Sequence, residues 1–556
     1  MILFNMPKRR PARKFVFVTG GVMSGVGKGV ATASIGALLK ARGLRVTAVK
    51  IDPYLNVDPG TMNPVEHGEV FVTEDGLETD QDLGNYERFL DENLHRVNYM
   101  TTGIVYLSVI ERERSMGYGG KTVEAVPHIP LEVIDRIKAA AEDANADVTM
   151  IEIGGTVGEY QNVLYLEACR MMKLESPKDV MVVLVSYLPV PSNLGEMKTK
   201  PTQYACRTLN AAGLQPDMLI CRGAFPLDDV RKRKLSINCN VPKEAVISAP
   251  DVSSIYEVPL KFNAEHVTDR IVDVLDLPKV RVNLEPWVEL NERIASSADP
   301  VHIGVIGKYF STGDFTLSDA YLSVLEAIKH AAWSVRRKPE IEWLNSEEFE
   351  KNPKSVAGKL KHLDGILIPG GFGSRGVEGK IMAIQYSREH GKPYLGLCYG
   401  LQLAVIEVAR HVLKLGDAAS TEFEEHTPHP IIHLMNEQEE RMKHQDYGGS
   451  MRLGNYPCRL RKGSRGWELY GKRDVIEERH RHRYEVNPDY RKPLEDAGLI
   501  ISGTSPDGKL AEIIELKDHP FFMASQFHPE FTSRPFRPNP LFLGFLKSAT
   551  GEGRGK

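Results

Sequence analysis

Short apolar runs alternate with helical patterns along the first half of the chain. Residues 15–21 predict a buried parallel strand that runs into a glycine turn, and residues 31–41 predict a helix that ends at Gly43. Three further runs predict strands at 46–51, 148–153 and 180–185. Strands that alternate with helices in this way indicate a doubly wound α/β domain.

A second α/β pattern follows after a break in the first. The first pattern fades near Leu277, and residues 278–300, which contain three prolines, are typical of a linker. Residues 301–307 and 365–371 then predict strands of a new domain. The expected division is a disordered basic leader at 1–14, a first domain at 15–277, a linker at 278–300, a second domain at 301–548 and a frayed tail at 549–556.

Composition agrees with two large globular domains. The chain has 556 residues, of which 42% are hydrophobic and 26% charged. A net charge of −4 gives no basic field for nucleic acid, no apolar run is long enough to span a bilayer, and the leader lacks the apolar segment of a signal peptide. Six cysteines without a CxxC pattern favour neither disulfides nor zinc. We therefore expect a cytoplasmic protein with neither a nucleic-acid nor a membrane partner.

Cys398 is the strongest candidate for a nucleophile. It lies in the sequence Gly396-Leu397-Cys398-Tyr399-Gly400, directly after an apolar stretch, and this pattern predicts a tight strand–turn–helix elbow. A helix N-terminus behind the thiol favours its anionic form and offers N–H groups to an oxyanion. Far downstream, His528 and Glu530 have the spacing of a base and the carboxylate that orients it. The three residues predict acyl transfer through a thioester, whereas the alternative for Cys398 is a buried small hydrophobe.

A glycine-rich loop predicts a phosphate site. Residues 20–29 follow a strand and open a helix, so that successive N–H groups can cradle phosphates beside the cationic Lys28. Gly29 stands where the usual P-loop has a Mg²⁺-binding Ser or Thr, and the glycine spacing is one residue too long. The alternative is a tight turn without a ligand.

Because the loop lacks that hydroxyl, carboxylates are needed to hold a metal. Asp80 and Asp82 lie in one acidic segment, and Glu152 ends a buried strand, where a side chain points into the ligand crevice of a parallel sheet. The alternative for each is a solvated loop acid or a helix cap.

Two basic stretches are candidates for a second polyphosphate. Residues 195–203 place Lys198 and Lys200 on either side of a threonine, just before a rigid proline, and Gln203 offers an amide to a base edge. Lys234 lies in a run of basic residues. On composition alone, both stretches are ordinary solvated surface.

Taken together, these segments resemble the CTP synthase family over nearly the whole chain. The matching motifs span residues 20–29, 50–56, 58–62, 67–72, 152–158, 198–203, 370–373 and 479–485. The resemblance implies an α/β protein of two doubly wound domains, an N-terminal P-loop-like amidoligase domain and a C-terminal class I glutaminase domain. It implies that ATP phosphorylates O4 of UTP, and that ammonia released from L-glutamine displaces the phosphate to give CTP.

The resemblance also assigns residues of the first domain. It implies that Asp82 and Glu152 hold Mg²⁺. The ATP-binding residues that it implies are Gly25, Val26, Gly27, Lys28, Gly29, Val30, Asp82, Pro250, Asp251 and Val252. The residues that it implies for UTP, or for CTP as product inhibitor, are Ser24, Glu159, Tyr160, Gln161, Lys198, Thr199, Lys200, Pro201, Thr202, Gln203 and Lys234. Glu159 and Pro250 depart from the Asp and the basic residue that are common in the family.

In the second domain, the resemblance implies the catalytic triad Cys398, His528 and Glu530. The residues that it implies for glutamine are Gly371, Tyr399, Gly400, Leu401, Gln402, Glu422 and Arg483. Gly371 would supply an oxyanion N–H, and a guanidinium and a carboxylate suit the two charged groups of the amino acid. Tyr399 and Leu401 are conservative departures from the common elbow. His67 is placed near the ammonia path, with a structural histidine as the alternative.

Two alternatives remain open from the sequence. Another glutamine-dependent amidoligase, such as a cobyrinic acid diamide synthase, would act on a carboxylate and leaves residues 198–203 unexplained. A filament-forming or regulatory protein is the other alternative, which the intact triad and phosphate loop oppose. The resemblance further implies GTP as an allosteric activator and a homotetramer that is able to form filaments.

Overall fold

The computed structural model describes residues 12–62, 68–192, 195–308, 311–312, 315–316, 318–434 and 451–552. They form two compact units. The first comprises residues up to 58 together with 85–291, and the second comprises 59–84 together with 292 onwards. His67 and most of the basic leader lie outside the described residues.

The first unit is built on a seven-stranded, fully parallel sheet. Its strands, in spatial order, are Tyr99–Thr101, Val46–Asp52, Val148–Ile153, Lys14–Gly20, Val180–Tyr187, Met218–Gly223 and Val246–Pro250. The strand Lys14–Gly20 is buried at every position, as expected of a continuous apolar run in the middle of a parallel sheet. The carboxyl end of this strand leads into the phosphate loop, which is where α/β sheets bind ligands.

Helices connect these strands. Those that begin before residue 292 are Lys28–Lys40, Asp82–Leu90, Thr102–Arg114, Ala125–Asp143, Val163–Glu175, Lys200–Ala211, Asp229–Cys239, Val258–Ala264, Val267–Val274 and Glu285–Ser296. The first begins at Lys28, three residues earlier than its apolar pattern indicates. The last lies within the stretch 278–300 expected to be a linker, where Trp287 packs on Phe89 with ring centroids 5.5 Å apart.

The second unit contains a nine-stranded mixed sheet. In spatial order its strands are Lys338–Asn345, Pro300–Gly307, Gly365–Ile368, Tyr394–Leu397, Phe522–Ser525, Ala511–Leu516, Leu499–Thr504, Arg452–Leu460 and Val475–His482. The first five are parallel and the other four continue the sheet in antiparallel pairing. Apolar cores cover both faces of the parallel part.

Smaller sheets and the remaining helices complete this unit. A hairpin pairs Val70–Val72 with Glu78–Asp80, a second pairs Ser311–Thr312 with Phe315–Thr316, and a three-stranded sheet joins Ala418–Ser420, His429–Leu434 and Tyr484–Val486. The helices are Leu322–Ser334, Ser346–Lys351, Ser355–Leu360, Val377–Glu389, Tyr399–His411, Arg465–Leu469, Arg491–Asp496 and Pro540–Ala549. No helix among the described residues is long and apolar enough to cross a membrane.

Candidate active site

Cys398 lies on a strained elbow between the strand Tyr394–Leu397 and the helix Tyr399–His411. Its φ of +50° and ψ of −97° are a conformation that a non-glycine residue adopts only when the surrounding fold enforces it. Gly400 allows this tight turn because a Cβ there would lie 2.5 Å from the carbonyl oxygen of Ile368. The strand–turn–helix expected from the sequence is therefore present, with the thiol at its apex.

His528 and Glu530 form a hydrogen-bonded pair in the cavity that Cys398 also lines. Nδ1 of His528 donates to Oε1 of Glu530 at 2.7 Å, and the imidazole stacks on Phe531 with ring centroids 5.1 Å apart. A Cβ on Gly370 would lie 2.8 Å from Cε1 of the imidazole, so glycine leaves room for the ring. The carboxylate thus fixes the tautomer and orientation of the imidazole.

The charges around His528 favour its protonated form. Burial alone would lower the pKa of this imidazole, but the anionic Glu530 and the Cys398 sulfur outweigh burial and raise the pKa to about 10. A protonated His528 next to a sulfur nucleophile is the arrangement of a thiolate–imidazolium pair.

A cavity of about 350 Å³ opens in front of Cys398. Four of the residues predicted for glutamine line it, namely Gly371, Gln402, Glu422 and Arg483. The other three, Tyr399, Gly400 and Leu401, are buried in the first turn of the helix. The Tyr399 hydroxyl donates to the carbonyl of Gly373 at 2.7 Å, and Leu401 packs in the apolar core. These three would therefore reach a ligand through their backbone.

Glu422 is held at the rim of the glycine-rich turn 370–373. Its carboxylate accepts the backbone N–H of Gly373 at 2.7 Å, and burial raises its pKa. Two lysines lie behind the same turn: Lys308 donates to the carbonyl of Phe372, and the Nζ of Lys380 lies 5.1 Å from the centre of the Tyr399 ring. Burial, assisted by the charge of Lys308, lowers the pKa of Lys380 to about 7.

The segment 59–84 forms part of the cavity wall, a feature that the sequence did not indicate. Gly60, Met62, Glu69 and Val70 line the cavity. Glu69 accepts the backbone N–H of Ser323 at 2.9 Å and its hydroxyl at 2.5 Å, which anchors the segment. The signal in the sequence was that residues 58–62 and 67–72 match the resembled family.

The phosphate loop has the backbone that a nest of N–H groups requires. Gly25 and Gly27 adopt φ values of +72° and +88°. Lys28 begins the helix and its Nζ donates to the carbonyl of Gly155 at 2.8 Å. Val26 and Gly29 are buried, whereas Ser24 is exposed at the tip of the loop. The loop thus presents backbone donors and one buried cation at the carboxyl edge of the sheet.

A small cavity lies beside this loop. Gly27, Val30, Pro250 and Val252, all predicted from the resemblance to contact ATP, line it together. Arg222, which sequence reasoning missed, also lines it. Nη2 of Arg222 donates to Asp251 at 2.7 Å, and Nη1 would lie 2.7 Å from a Cβ on Gly27. An apolar lining with a guanidinium beside it suits a purine ring.

Glu152 is buried at the end of its strand among polar partners. Its carboxylate accepts a hydrogen bond from Lys50 at 3.1 Å and another from the Tyr86 hydroxyl. Lys50 also lies 3.7 Å from Asp52. Asp82, the other predicted metal ligand, is the first residue of its helix. Among the described residues no group of three or more His, Cys, Asp and Glu side chains is placed to hold a metal.

That result is compatible with Mg²⁺ as the metal. Mg²⁺ is commonly held by one or two carboxylates together with water and substrate phosphates, and not by a full set of protein ligands. Glu152 is a buried carboxylate in the unit that contains the phosphate loop, so its chemistry fits this use.

The residues predicted for the pyrimidine nucleotide differ in exposure. Glu159 accepts the backbone N–H and the hydroxyl of Thr156, both at 2.7 Å, and the side-chain amide of Gln161 at 2.8 Å. Tyr160, in contrast, is 95% exposed. The Glu159 carboxylate is therefore fixed, while its neighbour Tyr160 is fully available at the surface.

The predicted segment 198–203 leads into the helix Lys200–Ala211. Lys198 pairs with Glu196 at 2.7 Å, while Lys200 and Lys234 are exposed. Pro201 occupies the first turn, the Thr202 hydroxyl bonds to Ser186, and Thr199 accepts from the amide of Gln203 at 3.1 Å. The oxygen of the Gln203 amide is buried without a hydrogen-bond partner, so a donor group of a ligand could satisfy it.

Comparison with known proteins matches both halves of the chain. A family described as "CTP synthase N-terminus" matches residues 14–277, and one described as "Glutamine amidotransferase class-I" matches residues 316–548. The chain is 50% identical to a CTP synthase of Caldanaerobacter subterraneus over 96% of its own length and 98% of the relative's. It is 52% identical to a CTP synthase of Carboxydothermus hydrogenoformans, with the same shares covered.

Among solved structures, the chain is similar to the Trypanosoma brucei CTPS glutaminase domain with bound acivicin. The two are 38% identical with a TM-score of 0.41, over 45% of this chain and 94% of that one.

Proposed function

The chain belongs to the CTP synthase family of glutamine-dependent ligases, and from this premise we propose how its residues divide the reaction between two sites. The site around Cys398 releases ammonia from L-glutamine. The site around the phosphate loop uses ATP to activate UTP, which ammonia then converts to CTP. The observation that carries the proposal is the 2.7 Å pair of His528 and Glu530, which shares one cavity with the strained Cys398.

In the glutaminase site, the Cys398 thiolate attacks the amide carbon of glutamine, and the electron pair moves to the amide oxygen. N–H groups of Gly371 and Tyr399 would receive this oxyanion. As the tetrahedral adduct collapses, His528 donates its proton to the leaving nitrogen, so that ammonia departs and a thioester remains. Glu422 and Arg483 hold the ammonium and carboxylate of the substrate.

Formation of the thioester prepares His528 for its second role. The pKa of His528 is raised by Glu530 and by the Cys398 sulfur, and the thioester no longer carries the sulfur's negative charge. The imidazole, which has given up its proton, is therefore more easily kept neutral, and in this form it takes a proton from the attacking water. Water breaks the thioester, glutamate leaves, and the thiolate and imidazolium are restored.

In the synthase site, the proposed chemistry is phosphoryl transfer from ATP to O4 of UTP, because a phosphate leaves far more readily than a ring carbonyl oxygen. The loop N–H groups and Lys28 hold the ATP phosphates, and the adenine lies in the gap beside Arg222. Lys198, Lys200, Lys234 and Gln203 are proposed to bind UTP, and CTP as product inhibitor. Mg²⁺, bound by Asp82 and Glu152, would neutralise charge on the phosphates.

The regulation, assembly and location of the protein are also part of the proposal. We expect GTP to activate the glutamine reaction and the chain to form homotetramers, and filaments of them. The 95% exposure of Tyr160, beside a fixed carboxylate, supports a pyrimidine site that a second copy of the chain completes. Six cysteines that are all free thiols support a reducing, cytoplasmic setting.

The direct test is to incubate the protein with UTP, ATP, Mg²⁺ and L-glutamine and to measure CTP, glutamate and ADP by chromatography. We expect the three products in equal amounts, and more of all three when GTP is added. Glutamate without CTP would contradict the synthase half, and CTP from ammonia but not from glutamine would contradict the glutaminase half.

A further inference from the structure

Two buried glutamines link Cys398 to a backbone carbonyl. Gln526, which is fully buried, points its amide nitrogen at the Cys398 sulfur over 3.7 Å. Its amide oxygen accepts from Nε2 of Gln402 at 3.5 Å. Nε2 of Gln402 donates in turn to the carbonyl oxygen of Tyr484 at 3.0 Å. A chain of donors and acceptors thus runs from Tyr484 to the nucleophile.

The carbonyl of Tyr484 decides the orientation of both amides. A backbone carbonyl only accepts hydrogen bonds, so Gln402 must present its NH₂ group to it. That NH₂ group also faces Gln526, which must therefore present its oxygen to Gln402 and its own NH₂ group to the sulfur. Reversing the Gln526 amide would set NH₂ against NH₂, a repulsive contact in a buried site, and would remove the amide donor from the sulfur.

From this arrangement we propose that Gln526 is a positioning residue, whose N–H stabilises the Cys398 thiolate and whose orientation is imposed by Tyr484 through Gln402. The inference rests on the proposed role of Cys398 as the nucleophile. A hydrogen bond to an ionised acceptor is stronger than one between neutral groups, so the donor favours the thiolate over the thiol.

The same chain of hydrogen bonds, from Tyr484 through Gln402 and Gln526 to Cys398, also fixes the position of the Gln402 side-chain oxygen. Its Oε1 atom is buried without a hydrogen-bond partner and belongs to a residue that lines the cavity. Because the NH₂ group is committed to Tyr484, the site offers the substrate an acceptor, which suits an ammonium or amide N–H. The carbonyl of Tyr484 therefore orients the NH₂ group of Gln526 toward Cys398 and the side-chain oxygen of Gln402 toward the ligand.

The test uses the full-length protein and the variants Gln526→Glu and Gln526→Met. Gln526→Glu keeps the shape but turns an oxygen toward the sulfur, and Gln526→Met keeps the approximate volume and removes the donor. The readout is the rate at which iodoacetamide alkylates Cys398 between pH 5 and 9, followed by peptide mass spectrometry. Gln385→Glu, on the surface helix Val377–Glu389, is the matched control.

For Gln526→Glu we expect a roughly tenfold slower alkylation at pH 7 and a rise of about one unit in the pH of half-maximal rate. For Gln526→Met we expect a smaller shift in the same direction, and for the control none. The charged and titratable acid, arginine and histidine side chains that line the cavity are the same in all these proteins, namely Glu69, Glu422, Arg481, His482, Arg483, His528 and Glu530. A change of fold alone would slow or speed alkylation at every pH without moving the profile.

Profiles that coincide with wild type in both variants would overturn the inference. If Gln526→Glu does not fold, as judged by loss of ammonia-dependent synthesis, Gln526→Met alone decides. Failure of the proposed function is distinguishable, because it would appear as wild-type protein that is alkylated normally but does not hydrolyse glutamine.

Discussion

Nε of Arg481 donates to the Glu78 carboxylate at 2.7 Å, although the two residues are 403 positions apart in the chain. Glu78 is 4% exposed and belongs to the hairpin of segment 59–84. The backbone carbonyl of Arg481 faces the Cys398 sulfur at 3.8 Å. The ion pair therefore connects two parts of the site. One is the strand Val475–His482, which contacts Cys398, and the other is segment 59–84, which forms part of the wall of the same cavity.

This relationship predicts the effect of Glu78→Gln. The variant keeps the shape but leaves the partly buried Arg481 without its charged partner, so the strand end beside Cys398 is less firmly held. We expect glutamine-dependent CTP formation to fall about tenfold, the equivalent of about 1.4 kcal/mol, while the ammonia-dependent rate changes less than about twofold. Glu477→Gln, an exposed position on the same strand as Arg481, is the control. Equal losses with both nitrogen sources would contradict this role.

Cys398→Ala should separate the two activities. The variant lacks the nucleophile on the elbow, so glutamine hydrolysis should fall at least about 10³-fold. CTP formation from added ammonium chloride should remain close to wild type, since that nitrogen source bypasses the thioester. Parallel assays of one preparation with glutamine and with ammonia provide the measurement, and the ammonia assay serves as its own folding control. Loss of both activities would speak against two separate sites.

Lys28→Ala should reduce CTP formation with both nitrogen sources. Removing the buried cation of the phosphate loop weakens ATP binding and phosphoryl transfer whichever nitrogen source is used. We expect CTP formation to fall about 10²-fold or more with glutamine and with ammonia alike. Lys178→Ala, a surface lysine in the same unit, should retain wild-type rates. A Lys28→Ala variant with normal ATP-dependent synthesis would refute the assignment of this loop.

Glu152→Gln tests the metal assignment. The amide is nearly isosteric, its single oxygen still accepts from Lys50, and its NH₂ group can donate to the Tyr86 hydroxyl, but it binds Mg²⁺ more weakly than a carboxylate. We expect a Mg²⁺ titration of CTP formation to shift about tenfold or more to higher concentration. Glu142→Gln, an exposed glutamate paired with Arg13, is the control. The assignment fails if the two titrations superimpose.

The sequence predicted the parts of the site that are local in the chain. The elbow at Cys398 and the spacing of His528 to Glu530 depend on a few consecutive residues, and the structure shows both as expected. The strand and glycine turn before Lys28 are local for the same reason. Their position at the carboxyl edge of a parallel sheet follows from general rules of α/β topology.

What the sequence did not predict depends on contacts between distant residues. The cavity wall from Gly60 to Val70, the pairing of Arg481 with Glu78 and the relay from Tyr484 through Gln402 join positions that no periodicity relates. Arg222 was missed because one arginine near the end of a strand has no distinctive pattern. The helix Glu285–Ser296 was missed because three prolines in residues 278–300 are typical of a linker, whereas the structure places Pro286 in the first turn of a helix whose Trp287 and Leu290 are buried.

His528 predicts a specific dependence of stability on pH. Its pKa is about 10 in the folded protein and near 6.5 when unfolded, so the folded state holds the proton more tightly. The resulting stabilisation is fully present below about pH 6.5 and is lost as the pH rises toward about 10. The difference in melting temperature between wild type and His528→Gln should therefore be larger at pH 6 than at pH 10.

Comparison with a variant is needed because Lys380 acts in the opposite sense. Burial lowers its pKa to about 7 in the folded protein, whereas the pKa is about 10.5 in the unfolded chain. The destabilisation that Lys380 causes is therefore lost as the pH rises from about 7 to about 10.5. Wild type and His528→Gln share Lys380, and the difference between them cancels this contribution. His362→Gln, an exposed histidine beside Glu342, should give a small difference at both pH values. A wild-type advantage over His528→Gln that grew with pH would show that the imidazole at the site is neutral.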